Sequence, residues 1–231
     1  MQLQVLRIQA GVVAYKIEQF IGEIERQIGW TTHLPWSAGS IEQRRFDELR
    51  LLRQVPAITE IVQLDSTGRS RFPYDRRNPL IPKSPDFSQD LKFTEAVARG
   101  VYYGPVYFRR ESDPYMTLSV AGTRRDAGVT VAEVSLKLLW DVIAAVGDRA
   151  LVIDAQERLI AHPDISLVVR NTDMAKLAQV RAARAGGGNW VQEAEDIEGR
   201  KVLTAYAPVA KLGWLVFAEL SVEESYAAFW R

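Results

Sequence analysis

The chain has 231 residues, of which 47% are hydrophobic and 25% are charged, and its 29 Lys and Arg residues balance 29 Asp and Glu residues. These values are typical of a globular protein with one large domain or two small ones. The balanced charge gives no indication of nucleic-acid or acidic-membrane binding. The absence of cysteine excludes disulfides, zinc–thiolate centres and thiol nucleophiles.

The N-terminal quarter of the sequence has the pattern of two helices. Apolar residues recur every three or four positions from Leu3 to Ile28, which predicts an amphipathic helix of more than seven turns that serves as a spine. A second helix is predicted over residues 41–55, with Phe46 and Leu49 on its apolar side, and Pro56 ends it.

The rest of the chain consists of two similar halves. Residues 59–71 and 150–160 each combine an apolar run, an Asp, a polar turn and an Arg, and residues 131–136 match 217–222. A repeat of roughly 80 to 90 residues is the size of a small domain. The fold class predicted is α+β, with a long N-terminal helix and two tandem modules, each a five-stranded antiparallel sheet with helices. The expected boundaries are 1–56, 57–146 and 147–231.

Each half shows the same succession of elements. A hairpin comes first, then a helix or loop, then a three-stranded meander. In the first half, a proline-rich loop over 75–90 is long enough to suggest a function. The other predicted elements are strands at 58–65, 70–74, 102–108, 115–123, 128–136, 150–154, 158–161, 189–195, 201–209 and 214–220, and helices at 91–99, 136–146 and 173–184.

Several short motifs then give the sequence a family likeness. They are Leu64-Asp65-Ser-Thr-Gly-Arg69, Gly104-Pro105-Val106, Pro114-Tyr115-Met-Thr-Leu-Ser119, Val131-Ala-Glu-Val-Ser135, Val152-Ile-Asp154, Ile160-Ala-His-Pro163 and Trp214-Leu-Val-Phe-Ala-Glu219. With the long first helix, they resemble the double-Cache (tandem PDC, PAS-like) extracellular sensor domains of bacterial sensor histidine kinases. The likeness extends over nearly the whole chain.

The resemblance implies a domain that is not itself an enzyme and that needs no cofactor or metal. It implies a periplasmic position between two transmembrane helices, a small polar ligand in the membrane-distal module, and a homodimer formed through the N-terminal helix. The chain closes on Tyr226-Ala-Ala-Phe-Trp-Arg231, and aromatics followed by Arg are typical near a membrane interface. We therefore expect transmembrane helices to flank it. Two alternatives stay open: the ectodomain of a chemoreceptor or nucleotide cyclase, and a free-standing soluble enzyme.

In family members that recognise amino acids, an Arg-x-Trp-Tyr motif precedes the helix that covers the ligand, and an Asp ends the last strand. Here those positions read Asp90-Leu-Lys-Phe93 and Glu133. The resemblance therefore does not extend to the amino-acid motif, while a carboxylate-bearing ligand remains compatible with the residues around it.

Candidate ligand-binding residues gather on the first meander. Strand alternation predicts that Tyr103, Tyr107 and Arg109 share one face, and Tyr115 and Thr117 follow on the next strand. Tyrosine hydroxyls and a guanidinium suit a carboxylate, because Arg offers a planar two-pronged donor. The alternative interpretation is a solvated Arg turn beside partly buried core tyrosines.

Three further first-half positions are candidates. Glu133 lies in an apolar strand, where a carboxylate needs a partner, so it is a candidate for contact with an ammonium or hydroxyl group. Glu219 holds the same position in the second half, which equally favours a structural role, such as accepting from backbone N–H groups of the next helix. Arg71 and Tyr74 border the proline-rich loop as possible anion contacts or as part of a solvated charge cluster.

His162 is the candidate of the second half, either as part of a pocket or as a structural histidine. The only other histidine is His33, and the two do not form a pair at metal-binding spacing. No Gly-x-Ser-x-Gly motif supplies a nucleophile that His162 would activate. No catalytic residue and no metal ligand is therefore predicted.

Overall fold

The computed structural model describes residues 2–34, 36, 38–71, 85–110, 112–146, 149–186 and 192–227. The helices within these ranges are α1 (Gln2–Thr32), α2 (Ala38–Gln54), α3 (Leu91–Arg99), α4 (Lys137–Val146), α5 (Ile165–Val169), α6 (Ala178–Arg184) and α7 (Val222–Ala227). The strands are β1 (Ile58–Leu64), β2 (Val101–Tyr103), β3 (Tyr107–Arg109), β4 (Asp113–Ala121), β5 (Val129–Ser135), β6 (Ala150–Ile153), β7 (Leu159–Ala161), β8 (Gln192–Glu195), β9 (Lys201–Val209) and β10 (Trp214–Ser221).

The strands form two antiparallel sheets of five strands each. The first has the order β1-β5-β4-β2, with β3 also paired to β4, and the second has the order β7-β6-β10-β9-β8. With the long α1, this confirms the predicted α+β fold of two tandem modules. None of the helices in the described ranges has the length and apolarity that a membrane span requires.

The chain divides into two compact units. One combines α1 as far as Phe20 with Lys137–Arg231, and the other is Ile21–Leu136. Helix α4, which the sequence placed at the end of the first module, belongs to the unit that contains the second sheet.

Helix α1 buries the apolar stripe that the periodicity of its sequence predicted. The buried residues of the stripe are Leu6, Ala10, Val13, Ile17, Ile21, Ile24 and Ile28. Burial of each Leu or Ile side chain contributes roughly 1.5–3 kcal/mol to the free energy of unfolding.

Helix α2 is oriented differently from the prediction. Phe46 and Leu49 are exposed, whereas Arg44 and Leu51 are buried. Arg44 is tolerated in the interior because it donates to Gln63 Oε1 at 2.9 Å and to the carbonyl of Ala127 at 2.9 Å. These hydrogen bonds allow the side of the helix that carries Arg44 to be buried. The prediction that the side with Phe46 and Leu49 is the buried one was wrong.

The predicted strand over 102–108 is interrupted. Its two parts, β2 and β3, both pair with β4, and Gly104 between them donates to the carbonyl of Thr117 at 2.8 Å. A Cβ at Gly104 would lie 3.2 Å from that oxygen, so glycine permits the close approach. Tyr103 pairs with Leu118 and Tyr107 with Tyr115. One strand therefore advances by one residue more than its partner, which turns Tyr103 and Tyr107 to opposite faces.

Helix α5 was not predicted. It has five residues and begins after Asp164, whose carboxylate accepts from the backbone N–H of Ser166 at 2.9 Å. A single turn is too short to show a helical period, so only the capping residue indicated it. The predicted helix over 173–184 is confined to Ala178–Arg184.

Candidate functional site

One face of the first sheet is divided into an apolar half and a polar half. Helix α3 covers the apolar half, where Phe93 and Ala96 pack with Leu64, Val129 and Val131. Along β5, Glu133 lies two residues beyond Val131 and therefore points to the same face. Glu60 of β1 and Thr117 of β4 are its direct partners on either side. The half of this sheet face that α3 does not cover therefore carries a row of polar side chains.

Five of the predicted residues meet in this polar half. We call them the first-module cluster: Tyr107, Arg109, Tyr115, Thr117 and Glu133. The hydroxyl of Tyr107 donates to Glu133 Oε2, and the hydroxyl of Thr117 lies 3.0 Å from each oxygen of the same carboxylate. All five residues are partly exposed. Glu133 is therefore oriented by one side chain from β4 and one from β3, while the cluster stays accessible.

Arg109 is held in the cluster by three contacts. Its Nη1 donates to Glu60 Oε1 at 3.0 Å, and its Nη2 donates to the hydroxyl of Tyr107 at 3.2 Å. The guanidinium carbon lies 4.4 Å from the ring centre of Tyr115, which supports it by a cation–π contact. The rings of Tyr107 and Tyr115 are stacked at 5.9 Å. These contacts hold the guanidinium in one orientation.

The hydroxyl of Tyr107 remains protonated at neutral pH. Burial raises the pKa of Tyr107 to about 12, with a further contribution from the hydrogen bond to Glu133. It is therefore a fixed donor to this carboxylate. The carboxylate of Glu60 contacts the guanidinium directly, and Glu133 is connected to it through the hydroxyl of Tyr107, so the polar half can offer a ligand both an anionic acceptor and a cationic donor.

Tyr103 does not belong to the cluster. It lies on the opposite face, where its hydroxyl donates to Glu25 Oε2 of α1 at 2.6 Å. Burial and this carboxylate together raise the pKa of Tyr103 above its ordinary value. The prediction that Tyr103 shares a face with Tyr107 and Arg109 was wrong, because the extra residue between β2 and β3 reverses the alternation.

Arg71 is engaged in a turn, and Tyr74 lies outside the described residues. The Nε of Arg71 donates to Asp65 Oδ2 at 2.7 Å, while Asp65 Oδ1 accepts from the backbone N–H groups of Thr67 and Arg69. Burial opposes ionisation of Asp65, but these bonds outweigh it and lower the pKa of Asp65. The described contacts of Arg71 therefore serve the turn.

The same turn recurs twice. Asp154 accepts from the backbone of Arg158 and from its Nε, each at 2.9 Å. Asp196 does so with Arg200, at 2.9 and 2.8 Å. The Asp-turn-Arg pattern that the sequence repeats therefore stabilises the turns of β-hairpins.

His162 lines a cavity in the second module. The cavity has a volume of about 380 Å³, and its other lining residues are Trp140, Asp141, Ile143, Ala144, Ala150, Ala161, Pro163, Ile165 and Val168. His162 Nδ1 accepts from the backbone N–H of Asp164 at 2.8 Å. Burial lowers the pKa of His162, although Asp164 opposes this effect. The lining is mostly apolar, and His162 and Asp141 are its ionisable residues.

Glu219 has a partner that the sequence did not indicate. Its Oε1 lies 3.4 Å from Nε2 of Gln179 in α6. The two residues are forty positions apart, so no local pattern connects them. Across the described ranges, no group of three or more His, Asp or Glu side chains is placed to hold a metal ion.

No family model and no curated protein matches this chain, but solved structures do. The extracellular domain of a candidate histidine kinase, soHK1S-Z6, matches with a TM-score of 0.65 at 19% identity, over 96% of this chain and 95% of that one. The ligand-binding domain of the Campylobacter jejuni chemoreceptor Tlp3, in complex with L-valine, matches with a TM-score of 0.74 at 13% identity, over 96% and 93%.

A third similar structure is the ligand-binding domain of the Pseudomonas aeruginosa PAO1 chemoreceptor PctB in complex with L-Arg, with a TM-score of 0.67 at 15% identity, over 99% of this chain and 91% of that one. These are sensor and ligand-binding domains rather than catalytic ones. The chain has the double-Cache fold of extracellular sensor domains, as the sequence motifs indicated.

Proposed function

We propose that this chain is the ligand-sensing ectodomain of a transmembrane signalling receptor and that it binds a small polar molecule at the first-module cluster. The observation that carries the proposal is the orientation of Glu133 and Arg109 on one sheet face. Tyr107 contacts both of them. A preorganised acceptor and a preorganised donor beside each other are the usual polar elements of a small-molecule site.

The ligand carries a carboxylate and a hydrogen-bond donor. Arg109 offers its guanidinium to the carboxylate, and Glu133 accepts from an amine or a hydroxyl. The similar domains support this class, since the domain of PctB is in complex with L-Arg and that of PctC, another amino acid chemoreceptor of Pseudomonas aeruginosa PAO1, is in complex with GABA, and both compounds have both groups. Because the amino-acid motif is replaced by Asp90-Leu-Lys-Phe93 and Glu133, the proposal is not restricted to amino acids.

The parent protein is an inner-membrane histidine kinase, and this domain is its periplasmic part. A chemoreceptor is the second candidate, because the fold is found in both kinds of receptor. Binding changes the output only if the ligand has different affinities for two arrangements of the flanking helices.

The receptor acts as a homodimer through α1. This helix has a second apolar stripe at Val5, Ile8, Val12 and Tyr15, and all four side chains are exposed in the single chain. Their spacing of three and four residues places them on one side of the helix, as in helix–helix interfaces.

A thermal-shift screen of the purified chain against small carboxylates, amino acids and amines tests the ligand. A compound that binds only the folded state stabilises it by about 2.7 kcal/mol at a hundredfold excess over its dissociation constant. We expect the shift to be lost in Arg109→Gln and in Glu133→Gln. Arg124→Gln, at an exposed turn of the same unit, is the matched control and should keep it. A compound that still shifts the melting temperature of both cluster variants would contradict binding at this site.

A further inference from the structure

The second sheet contains a counterpart of the first-module cluster. Glu133 of β5 is paired with Thr117 of β4. At the equivalent place, Glu219 of β10 is paired with Thr204 of β9, and Thr204 is paired in turn with Gln192 of β8. Directly paired residues of antiparallel strands share a face, with Cβ atoms roughly 4.5–5.5 Å apart. Glu219, Thr204 and Gln192 therefore form a polar row across three strands.

Helix α6 adds a fourth member to this row. Gln179 Nε2 donates to the carbonyl of Glu195 at 2.9 Å and lies 3.4 Å from Glu219 Oε1. This anchors the amide group of Gln179 beside the row. We call Gln179, Gln192, Thr204 and Glu219 the second-module cluster.

The two clusters differ in how their polar atoms are satisfied. In the first module, the hydroxyl of Thr117 donates to Glu133. In the second, the buried atoms Gln179 Oε1, Gln192 Oε1 and Thr204 Oγ1 have no hydrogen-bond partner among the described residues. Gln179 and Thr204 are each only 2% exposed. A buried acceptor without a donor is unfavourable, so three of them in one cluster indicate that a donor belongs there.

The charges around the cluster indicate which kind of donor fits. The guanidinium of Arg200 acts electrostatically on Glu219, but it is already paired with Asp196 at 2.8 Å and with Glu198 at 2.7 Å. The cluster itself contributes one carboxylate and two amide oxygens. A water molecule has two hydrogens to donate, whereas a primary ammonium has three and also carries the charge that complements a carboxylate.

We propose that the second-module cluster is a second binding site, which takes a small protonated amine through N–H donation to Gln179, Gln192 and Thr204 and charge pairing with Glu219. The assignment uses the equivalence of the two modules, but it does not depend on which ligand the first module binds. Gln192 and Glu219 are only partly buried, whereas Gln179 and Thr204 are buried.

The site should respond to pH. Burial raises the pKa of Glu219 to about 7; Gln179 and Arg200 oppose the rise, and Asp196 adds to it. A cation favours the ionised carboxylate. Binding of an amine should therefore tighten as the pH rises through 7 and should release a proton.

Titration of the ¹⁵N-labelled chain with methylammonium chloride, followed by NMR, tests the proposal. Tetramethylammonium chloride, which has the charge but no N–H, and sodium chloride are the controls. We expect amide shifts in β9, β10 and α6 with methylammonium alone, at least tenfold weaker binding in Glu219→Gln, and weaker binding at pH 6 than at pH 8. Glu193→Gln, at an exposed position of β8 that points to the opposite face from Gln192, should bind methylammonium as the native chain does.

Three results would overturn the proposal. They are no response to methylammonium at pH 8, an equal response to tetramethylammonium, or a response in β9, β10 and α6 that is as strong in Glu219→Gln as in the native chain. If Glu219→Gln does not fold, Gln192→Leu on the edge strand β8 replaces it, with the same expected loss. Failure of the first-module proposal would leave these outcomes unchanged, since they concern a different sheet.

Discussion

The hydroxyl of Tyr107 donates to the carboxylate of Glu133 across the intervening strand β4. The same oxygen accepts from Nη2 of Arg109 at 3.2 Å. Tyr107 therefore connects the acceptor and the donor of the proposed site, and both depend on it for their orientation.

Tyr107→Phe should weaken ligand binding more than it weakens the fold. The substitution removes both hydrogen bonds but keeps the ring that stacks on Tyr115, so we expect a loss of about 1 kcal/mol in the free energy of unfolding. Urea denaturation measures that loss, and the thermal-shift response measures binding. Tyr226→Phe, at an exposed position of α7, should change neither. Unchanged ligand binding in Tyr107→Phe would show that the hydroxyl of Tyr107 does not contribute to the site.

The sequence predicted those parts of the molecule that depend on local chemistry. The buried stripe from Leu6 to Ile28 follows from helical periodicity, and the hairpins follow from the Asp-turn-Arg pattern around Asp65 and Asp154. The equivalence of Glu133 and Glu219 was visible because the two halves repeat each other.

The features that were missed depend on contacts between distant residues. The face of Tyr103 is set by one extra residue between β2 and β3, which alternation alone does not reveal. The interior position of Arg44 is set by Gln63 and by the carbonyl of Ala127, eighty-three positions away. In the same way, Glu219 is on strand β10, whereas its partner Gln179 is on helix α6. Periodicity orders residues within an element, but it does not identify their partners elsewhere.

Two glycine substitutions should have opposite effects on stability. Gly128 has a φ of +74°, and an added Cβ would lie 2.0 Å from the carbonyl oxygen of Leu64, so Gly128→Ala should destabilise the chain by about 3 kcal/mol. Gly11 lies within α1, where an added Cβ would meet nothing within 4 Å beyond the adjacent backbone of its own helix, so Gly11→Ala should stabilise the chain by about 1 kcal/mol. Urea denaturation of both variants tests the pair. Equal effects would contradict the close packing at Gly128.

Glu48 should make the chain less stable as the pH rises from 5 to 7. Burial raises the pKa of Glu48 from 4.5 to about 7, although hydrogen bonding from Gln63 opposes the rise. The folded chain therefore holds a proton that the unfolded chain has released in this range, and the free energy of unfolding falls with pH until Glu48 ionises in both states. Glu219 acts in the same direction, and His162, whose pKa is lowered, acts in the other.

The difference between variants isolates Glu48 from these other groups. Urea midpoints at pH 5, 6, 7 and 8 should show that Glu48→Gln becomes progressively more stable relative to the native chain as the pH rises. Glu42→Gln, at an exposed position of the same helix, should keep a constant difference from the native chain. Parallel curves for Glu48→Gln and the native chain would contradict the raised pKa.

Ile8→Asp should separate the homodimer without unfolding the chain. Ile8 is 63% exposed and lies in the apolar stripe of α1 with Val5, Val12 and Tyr15, so an Asp there is tolerated in the single chain but places a charge in an interface. Sedimentation equilibrium should show at least tenfold weaker self-association, with an unchanged circular dichroism spectrum. Arg7→Asp, on the same helix outside the stripe, introduces the same residue and should have a smaller effect. Equal weakening by both variants would indicate a general effect of charge, and the stripe would then not be the dimer contact.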